Sequence, residues 1–398
     1  MAVIDGRLLT AVTCPASSSG VQRLVAALEE SFDGGPAVVA LPPGPEAAVA
    51  DLRSALRPDD ASVPVDPSDV AVVVATSGST GEAKGVQLTG SALRHSARAT
   101  LDLLGGPGAW VLALPVTHIA GVQVVVRSML ADRAPVAVEM ADGFTAEAFA
   151  AAVYTAANVP GRRYSALVPT QLERVLDGGV EAVDALGELD AVLLGGAAAP
   201  PALVARAEAA GVRVVTTYGM SETCGGCVYD GRPLEGVEVR IASPDAGGVG
   251  RIELGGPTVF SGYRLRPDLT AAALVDGRHV TNDLGRLRAD GTLEVLGRAD
   301  DVIVSGGEKI APASVEQCLL AHPSVAACAV VAHPDPTWGQ RVVAVIVPSD
   351  PSSPPTLDAL RDHVGATMPR SAAPRELRIV ESLPLLSTGK IDRAALTA

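Results

Sequence analysis

Short, continuous apolar runs alternate along this chain with stretches whose apolar positions recur at helical spacing. Runs at 37–41, 70–75, 110–114, 136–139, 164–168, 191–194 and 212–217 are rich in Val, Ala and Leu and read as buried strands. Between them, 21–31, 91–104, 120–130, 144–154, 171–176 and 201–209 read as helices facing a core. Ser91 is placed to cap the second of these helices, and Gly105-Gly106-Pro107 to end it. The alternation predicts an α/β fold with mostly parallel sheets. From residue 237 the runs shorten (237–241, 249–254, 293–296) and are separated by Gly turns, as in a small β subdomain. After a polar break at 297–301 a second alternation follows: strand 302–304, helix 312–320, strands 326–331 and 342–347, helix 357–367. The expected organisation is a large N-terminal domain, 1–298, a hinge at 299–301, and a small α+β C-terminal domain, 302–398.

Composition narrows the function. The chain has 398 residues, 48% of them hydrophobic, enough to bury a large core. A net charge of −14 argues against nucleic acid or an anionic membrane as partner. Anionic substrates would need local Lys, Arg and backbone N–H groups. No apolar run is long enough to span a membrane, and the first residues lack the basic flank of a signal peptide, so a cytoplasmic location is expected. Five cysteines suit a reducing compartment. Cys224 and Cys227 form a CxxC, but no second pair stands at zinc spacing, and neither is assigned a metal.

The stretch with most chemistry is Thr-Ser-Gly-Ser-Thr-Gly-Glu-Ala-Lys-Gly at 76–85, directly after the run at 70–75. Glycines let backbone N–H groups turn inward, hydroxyls add donors, and Lys84 brings charge, as in a phosphate cradle. Three readings stand: a surface loop, a P-loop NTPase, and the AMP-forming ligases. A P-loop needs a hydroxyl residue directly after the Lys, and here Gly85 follows.

Five stretches, in order, resemble the signature motifs of the adenylate-forming (AMP-forming acyl-CoA synthetase) superfamily. They lie at 76–85, 218–223 (Tyr-Gly-Met-Ser-Glu-Thr), 281–285 (Thr-Asn-Asp-Leu-Gly), 297–309 and 387–393 (Ser-Thr-Gly-Lys-Ile-Asp-Arg). The resemblance implies a mobile C-terminal lid and a set of roles. Thr76, Ser77, Gly78, Ser79, Thr80, Gly81 and Lys84 would hold the β- and γ-phosphates of ATP. Glu222 would bind Mg²⁺, Thr223 the α-phosphate, and Tyr218 with Gly219 the adenine. Gly196 and Ala197 would lie along the nucleotide, and Asp283 and Arg298 would take the ribose. Lys390 would bridge the attacking carboxylate and the α-phosphate, completing a catalytic set with Glu222 and Thr223. His118, in a Pro-x-x-His segment, would line an acyl pocket with Gly196, Thr217 and Gly219. Asp300 would be the hinge, and Gly306 and Gly307 would border the CoA tunnel.

Softer cues resemble one subfamily, the o-succinylbenzoate–CoA ligases of menaquinone biosynthesis, in their compact actinobacterial form. They are Ser-Ala-Leu-Val-Pro-Thr-Gln-Leu at 165–172, Leu-Leu-Gly-Gly-Ala at 193–197 and Cys-Val-Tyr-Asp-Gly at 227–231. The implied substrates are ATP, CoA and an aryl carboxylate with a second carboxylate, for which Arg162 and Arg163 are candidate partners. A homodimer is compatible with the resemblance. The alternatives are another aryl- or acyl-CoA ligase, an enzyme that loads a carrier protein, and a nucleotide-binding protein without ligase activity.

Overall fold

The computed structural model describes residues 6–77, 83–384 and 391–397. Packing divides the chain into two units. The first comprises 1–199, 203–240 and 253–280; the second comprises 200–202, 241–252 and 281–398. The hairpin that carries Asp283 and Arg298 thus groups with the C-terminal residues.

The first unit holds two sheets. One runs in the order Leu9–Thr13, Ala37–Leu41, Val70–Ser77, Ala83–Thr89, Gly262–Tyr263. Its first three strands are parallel and the last two pairings antiparallel. The fully buried Leu9, Ala37, Val39, Leu41, Val70 and Val73 form its core with Leu56. The other sheet has seven strands, ordered Arg232–Pro233, Gly225–Tyr229, Val214–Met220, Ala191–Leu194, Arg162–Leu167, Gly108–Leu112, Val136–Ala137. From Val214–Met220 onward all its pairings are parallel. Helices Ala146–Ala157, Pro169–Asp177 and Val180–Gly187 bury Phe149, Val153, Leu172, Val175 and Leu186 against it. Strands buried on both faces explain why the sequence shows continuous apolar runs rather than alternation.

In the second unit, Ile303–Ser305, Gly339–Pro348 and Val325–Asp335 form an antiparallel sheet joined by Glu308–Ile310 and by Glu376–Ile379, which pairs parallel with Gly339–Pro348. Helices Pro312–Leu320 and Leu357–Gly365 cover one face through Val315, Leu319, Leu360 and Val364. Arg393, just beyond the 387–390 stretch, donates to both carboxylate oxygens of Glu316, at 2.6 and 2.9 Å, and to Val330 O at 2.9 Å.

The structure differs from the sequence reading in three instructive places. Residues 70–77 and 83–89 form a β-hairpin, whereas the sequence pointed to one strand followed by a loop. A P-loop requires a helix after the loop, so the NTPase reading ends here. The helix expected from Ser91 is Gly90–Leu104, capped by Thr89, whose hydroxyl accepts from Ala92 N at 3.0 Å. Helix Glu46–Leu56 and strand Arg278–Leu287 lie outside the expected elements; the helix has Val49, Leu52 and Leu56 at helical spacing, whereas the strand shows no steady alternation.

Candidate active site

In an open parallel sheet, ligands bind beyond the carboxyl ends of the strands. In the seven-stranded sheet those ends carry several of the expected residues. His118 follows Gly108–Leu112 and sits at the N-cap of helix Ile119–Leu130, exposed, with its backbone accepting from Val122 N at 3.1 Å. Gly196 and Ala197 follow Ala191–Leu194. Thr217, Tyr218 and Gly219 lie on Val214–Met220. The 165–172 segment ties two strand ends together: Gln171 donates to Ala113 O at 2.7 Å and accepts from Val168 N at 3.1 Å. Tyr218 is half-buried, and the Gly219 backbone is open. A Cβ at Gly219 would collide with Gly225 O across the hairpin, so only glycine fits there.

Behind this hairpin lies a buried polar layer. The Arg127 guanidinium donates to the Tyr229 hydroxyl at 3.2 Å, and the Thr100 hydroxyl is 3.0 Å from the same oxygen. Burial pushes the Arg127 pKa down.

Met220 turns into the short 3₁₀ helix Ser221–Thr223, which aims Glu222 and Thr223 in different directions. Thr223 is fully buried. Its hydroxyl accepts from Met220 N at 3.0 Å and lies 2.8 Å from Gly225 O, closing the turn. Contact with an α-phosphate would require that hydroxyl to leave Gly225. Glu222 is 8% exposed. Its Oε1 accepts from the Tyr263 hydroxyl at 2.7 Å and from Lys84 Nζ at 3.4 Å. Lys84 Nζ also donates to the Tyr263 hydroxyl at 3.1 Å and lies 4.2 Å from the centre of its ring. Burial pushes the Glu222 carboxyl up, but the Tyr263 hydrogen bond and the charges of Lys84 and His279 outweigh it and hold it below the usual range. Burial and Glu222 together push the Tyr263 phenol up, so it remains protonated. Thr76 and Lys84 face each other across the hairpin, with the Thr76 hydroxyl 3.5 Å from Lys84 O. Gly78, Ser79, Thr80 and Gly81 lie outside the described residues.

In the second unit, Asp283 and Arg298 are cross-strand partners on the hairpin Arg278–Leu287 and Leu293–Arg298. Asp283 is half-buried, and its N–H donates to the Thr281 hydroxyl at 3.0 Å. The Arg298 guanidinium makes two bonds to Asp300, at 2.9 and 3.0 Å. Gly306 and Gly307 form the tight turn between Ile303–Ser305 and Glu308–Ile310. Lys390 lies outside the described residues.

Two expectations change. Arg162 and Arg163 begin the strand Arg162–Leu167, roughly 15 Å from its carboxyl end. They pair there with Asp190 at 3.3 Å and Glu188 at 3.6 Å. Both are therefore structural, and neither faces the acyl pocket implied around His118. Conversely, the sequence reading passed over Tyr263. Its strand, Gly262–Tyr263, has two residues and no local period, and its partners stand 41 and 179 positions away.

Fit to a divalent cation can be judged from the donors. Glu222 is a buried, ionised oxygen donor with one oxygen already bonded to the protein. Mg²⁺ takes one or two carboxylates and fills its remaining positions with phosphate oxygens and water, so a single carboxylate suits it. Among the described residues there is no cluster of three or more His, Cys, Asp or Glu that would hold a metal on its own. Among them, too, no helix is long and apolar enough to cross a membrane.

Residues 11–264 match the family model of the AMP-binding enzymes, and residues 314–390 match the AMP-binding enzyme C-terminal domain. The probable 2-succinylbenzoate–CoA ligase of Mycobacterium tuberculosis is 47% identical over 98% of this chain and 97% of that protein. The feruloyl-CoA synthase of an Amycolatopsis species is 33% identical over 83% of this chain and 70% of that protein. Among solved structures, the o-succinylbenzoate CoA synthetase (MenE) of Bacillus subtilis, in complex with the acyl-adenylate intermediate OSB-AMP, matches with a TM-score of 0.78. It is 25% identical, covering 99% of this chain and 88% of that one.

Proposed function

The chain belongs to the AMP-binding enzyme family, and from that premise we propose that it is an AMP-forming 2-succinylbenzoate–CoA ligase. The observation that carries the substrate is the 47% identity to the Mycobacterium tuberculosis protein over nearly the whole of both chains. The reaction has two halves. A carboxylate oxygen of the acid attacks the α-phosphorus of ATP; pyrophosphate leaves and an acyl-adenylate forms. The CoA sulfur then attacks the acyl carbon, and AMP leaves with the electron pair of the broken C–O bond.

Each half demands groups of a particular kind. Two anions must meet in the first, so positive charge and oriented donors must be in place beforehand. Thr76, Ser77, Gly78, Ser79, Thr80, Gly81 and Lys84 serve the departing phosphates. Tyr218, Gly196 and Ala197 serve the adenine and the adjoining acyl group. Asp283 and Arg298, on their own unit, serve the ribose. His118 at the head of its helix borders the acid. Glu222 holds Mg²⁺, which when bound neutralises phosphate charge. Lys390 is the residue that would bridge the attacking oxygen and the α-phosphate. The C-terminal domain, 302–398, turns about 299–301 to exchange Lys390 for the Gly306-Gly307 turn.

The test is pyrophosphate release from ATP over a panel of 2-succinylbenzoate, benzoate, ferulate, sulfoacetate and fatty acids, with and without CoA. Fastest turnover with 2-succinylbenzoate, yielding its CoA thioester, is expected. A faster monocarboxylate would overturn the substrate and leave the ligase chemistry. The same sulfur-acceptor step with a carrier protein in place of CoA would identify the second reading.

A further inference from the structure

Glu222 and Lys84 serve the nucleotide, and Tyr263 is what joins them. A phenol has one O–H. Beside an ionised carboxylate and an ammonium, its direction is fixed: it donates to Glu222 Oε1 at 2.7 Å and accepts from Lys84 Nζ at 3.1 Å. The segment that carries it is pinned on several sides. Gly262 and Tyr263 pair antiparallel with Gln87 and Val86, on the strand that bears Lys84. Tyr263 N donates to the Thr270 hydroxyl at 2.8 Å, and Arg264 N to Gly85 O at 2.8 Å. The Arg264 side chain, 2% exposed, binds the carbonyls of Leu56, Arg57, Val63 and Pro64. The Tyr263 ring packs edge-on against Phe260, 4.9 Å between centres. The hydroxyl is thus placed by rigid elements before any ligand arrives.

We propose that Tyr263 is a positioning residue of the phosphate site: it keeps Glu222 Oε1 turned into the protein, presents Oε2 to the cation, and holds Lys84 until a phosphate takes the ammonium. This rests on the reading of Glu222 as the Mg²⁺ carboxylate. The distances favour such a handover. The 2.7 Å bond to Glu222 has the length of a strong charge-assisted bond, whereas Lys84 reaches Glu222 only at 3.4 Å. On moving to phosphate Lys84 therefore gives up a long contact to Glu222 and its 3.1 Å bond to Tyr263, while Tyr263 keeps Glu222 in place. Groups that orient a metal ligand commonly matter by 10–100-fold in metal affinity.

The test uses Tyr263→Phe, which keeps the ring against Phe260 and under the ammonium and removes only the hydroxyl. Mn²⁺ binding is followed by electron paramagnetic resonance in the presence of α,β-methylene-ATP, in the wild type, Tyr263→Phe, Glu222→Gln and the double variant. Tyr263→Phe is expected to weaken Mn²⁺ binding about tenfold, with KM for the acid unchanged. In the Glu222→Gln background the same substitution should add nothing. If Glu222→Gln weakens Mn²⁺ binding and Tyr263→Phe does not, the positioning role is overturned and the metal assignment stands. If neither weakens it, the metal assignment falls and takes this inference with it. Equal losses in both backgrounds, with a lowered melting temperature, would make the hydroxyl a structural group and overturn the proposal.

Discussion

Arg298 and Asp300 form a two-bond ion pair at 2.9 and 3.0 Å, so the arginine expected at the ribose is engaged by the residue expected at the hinge. Their side chains are 47% and 43% exposed, a setting in which an ion pair contributes under about 1 kcal/mol to stability. Its significance would lie in which domain position it accompanies. Asp300→Ala should leave the melting temperature unchanged and alter the ratio of the two half-reaction rates. Single-turnover assays started from ATP plus acid, or from synthetic acyl-AMP plus CoA, measure that ratio. An unaltered ratio would separate the pair from the domain movement.

His118 heads its helix beyond the carboxyl end of strand Gly108–Leu112, next to the edge of the seven-stranded sheet. His118→Ala should lower kcat/KM for the acid at least tenfold more than for ATP. Equal losses for both, with a lowered melting temperature, would mark it as a structural residue.

The two halves of the reaction should separate by variant. Lys390→Ala should lose about 10²–10³-fold or more in acyl-AMP formation, the usual cost of removing one preorganised donor, while still converting supplied acyl-AMP and CoA to thioester. Gly307 has φ +86°, where a branched side chain is strained, so Gly307→Leu distorts the turn and fills the open space beside it. It should do the reverse. Equal defects of Lys390→Ala in both assays would contradict the exchange about 299–301.

Acid stability follows from Glu222. Its carboxyl is held below the usual range by Tyr263, Lys84 and His279 acting against burial. A depressed folded-state pKa contributes stability that is present above the unfolded value, near 4.3, and is lost as pH falls through the folded value. Glu222→Gln should therefore flatten the decline of melting temperature below about pH 4.3. An acid limb of unchanged steepness would place the loss elsewhere.

Much of this was legible in residue order. The buried strands Ala37–Leu41 and Ala191–Leu194 and the helix Pro312–Leu320 lie where their apolar spacing put them. The five motif stretches named the family. What escaped was whatever depended on tertiary pairing. The strand Ala83–Thr89 begins inside a Gly- and Ser-rich stretch, and its ladders with Val70–Ser77 and Gly262–Tyr263 make it a strand. Tyr263 has no meaning without Glu222. Arg162 and Arg163 looked like anion partners because charge beside a strand says nothing of Asp190 and Glu188. Their place at the beginning of a parallel strand could have argued against them, since ligands gather at the other end.

The five-stranded sheet has a consequence for biosynthesis. Its first four strands come from the first 89 residues, but the fifth is Gly262–Tyr263. At ribosomal speed the outer edge of Ala83–Thr89 waits on the order of ten seconds or more for its neighbour. Until then its open N–H and C=O groups are a template for pairing with another chain. Fragments that end before Gly262 would keep that edge open, together with the carbonyls of Leu56, Arg57, Val63 and Pro64 that Arg264 satisfies. The nascent protein thus carries an open edge while the sheet is nearly finished, and the residue that closes that edge also bonds both Lys84 and Glu222.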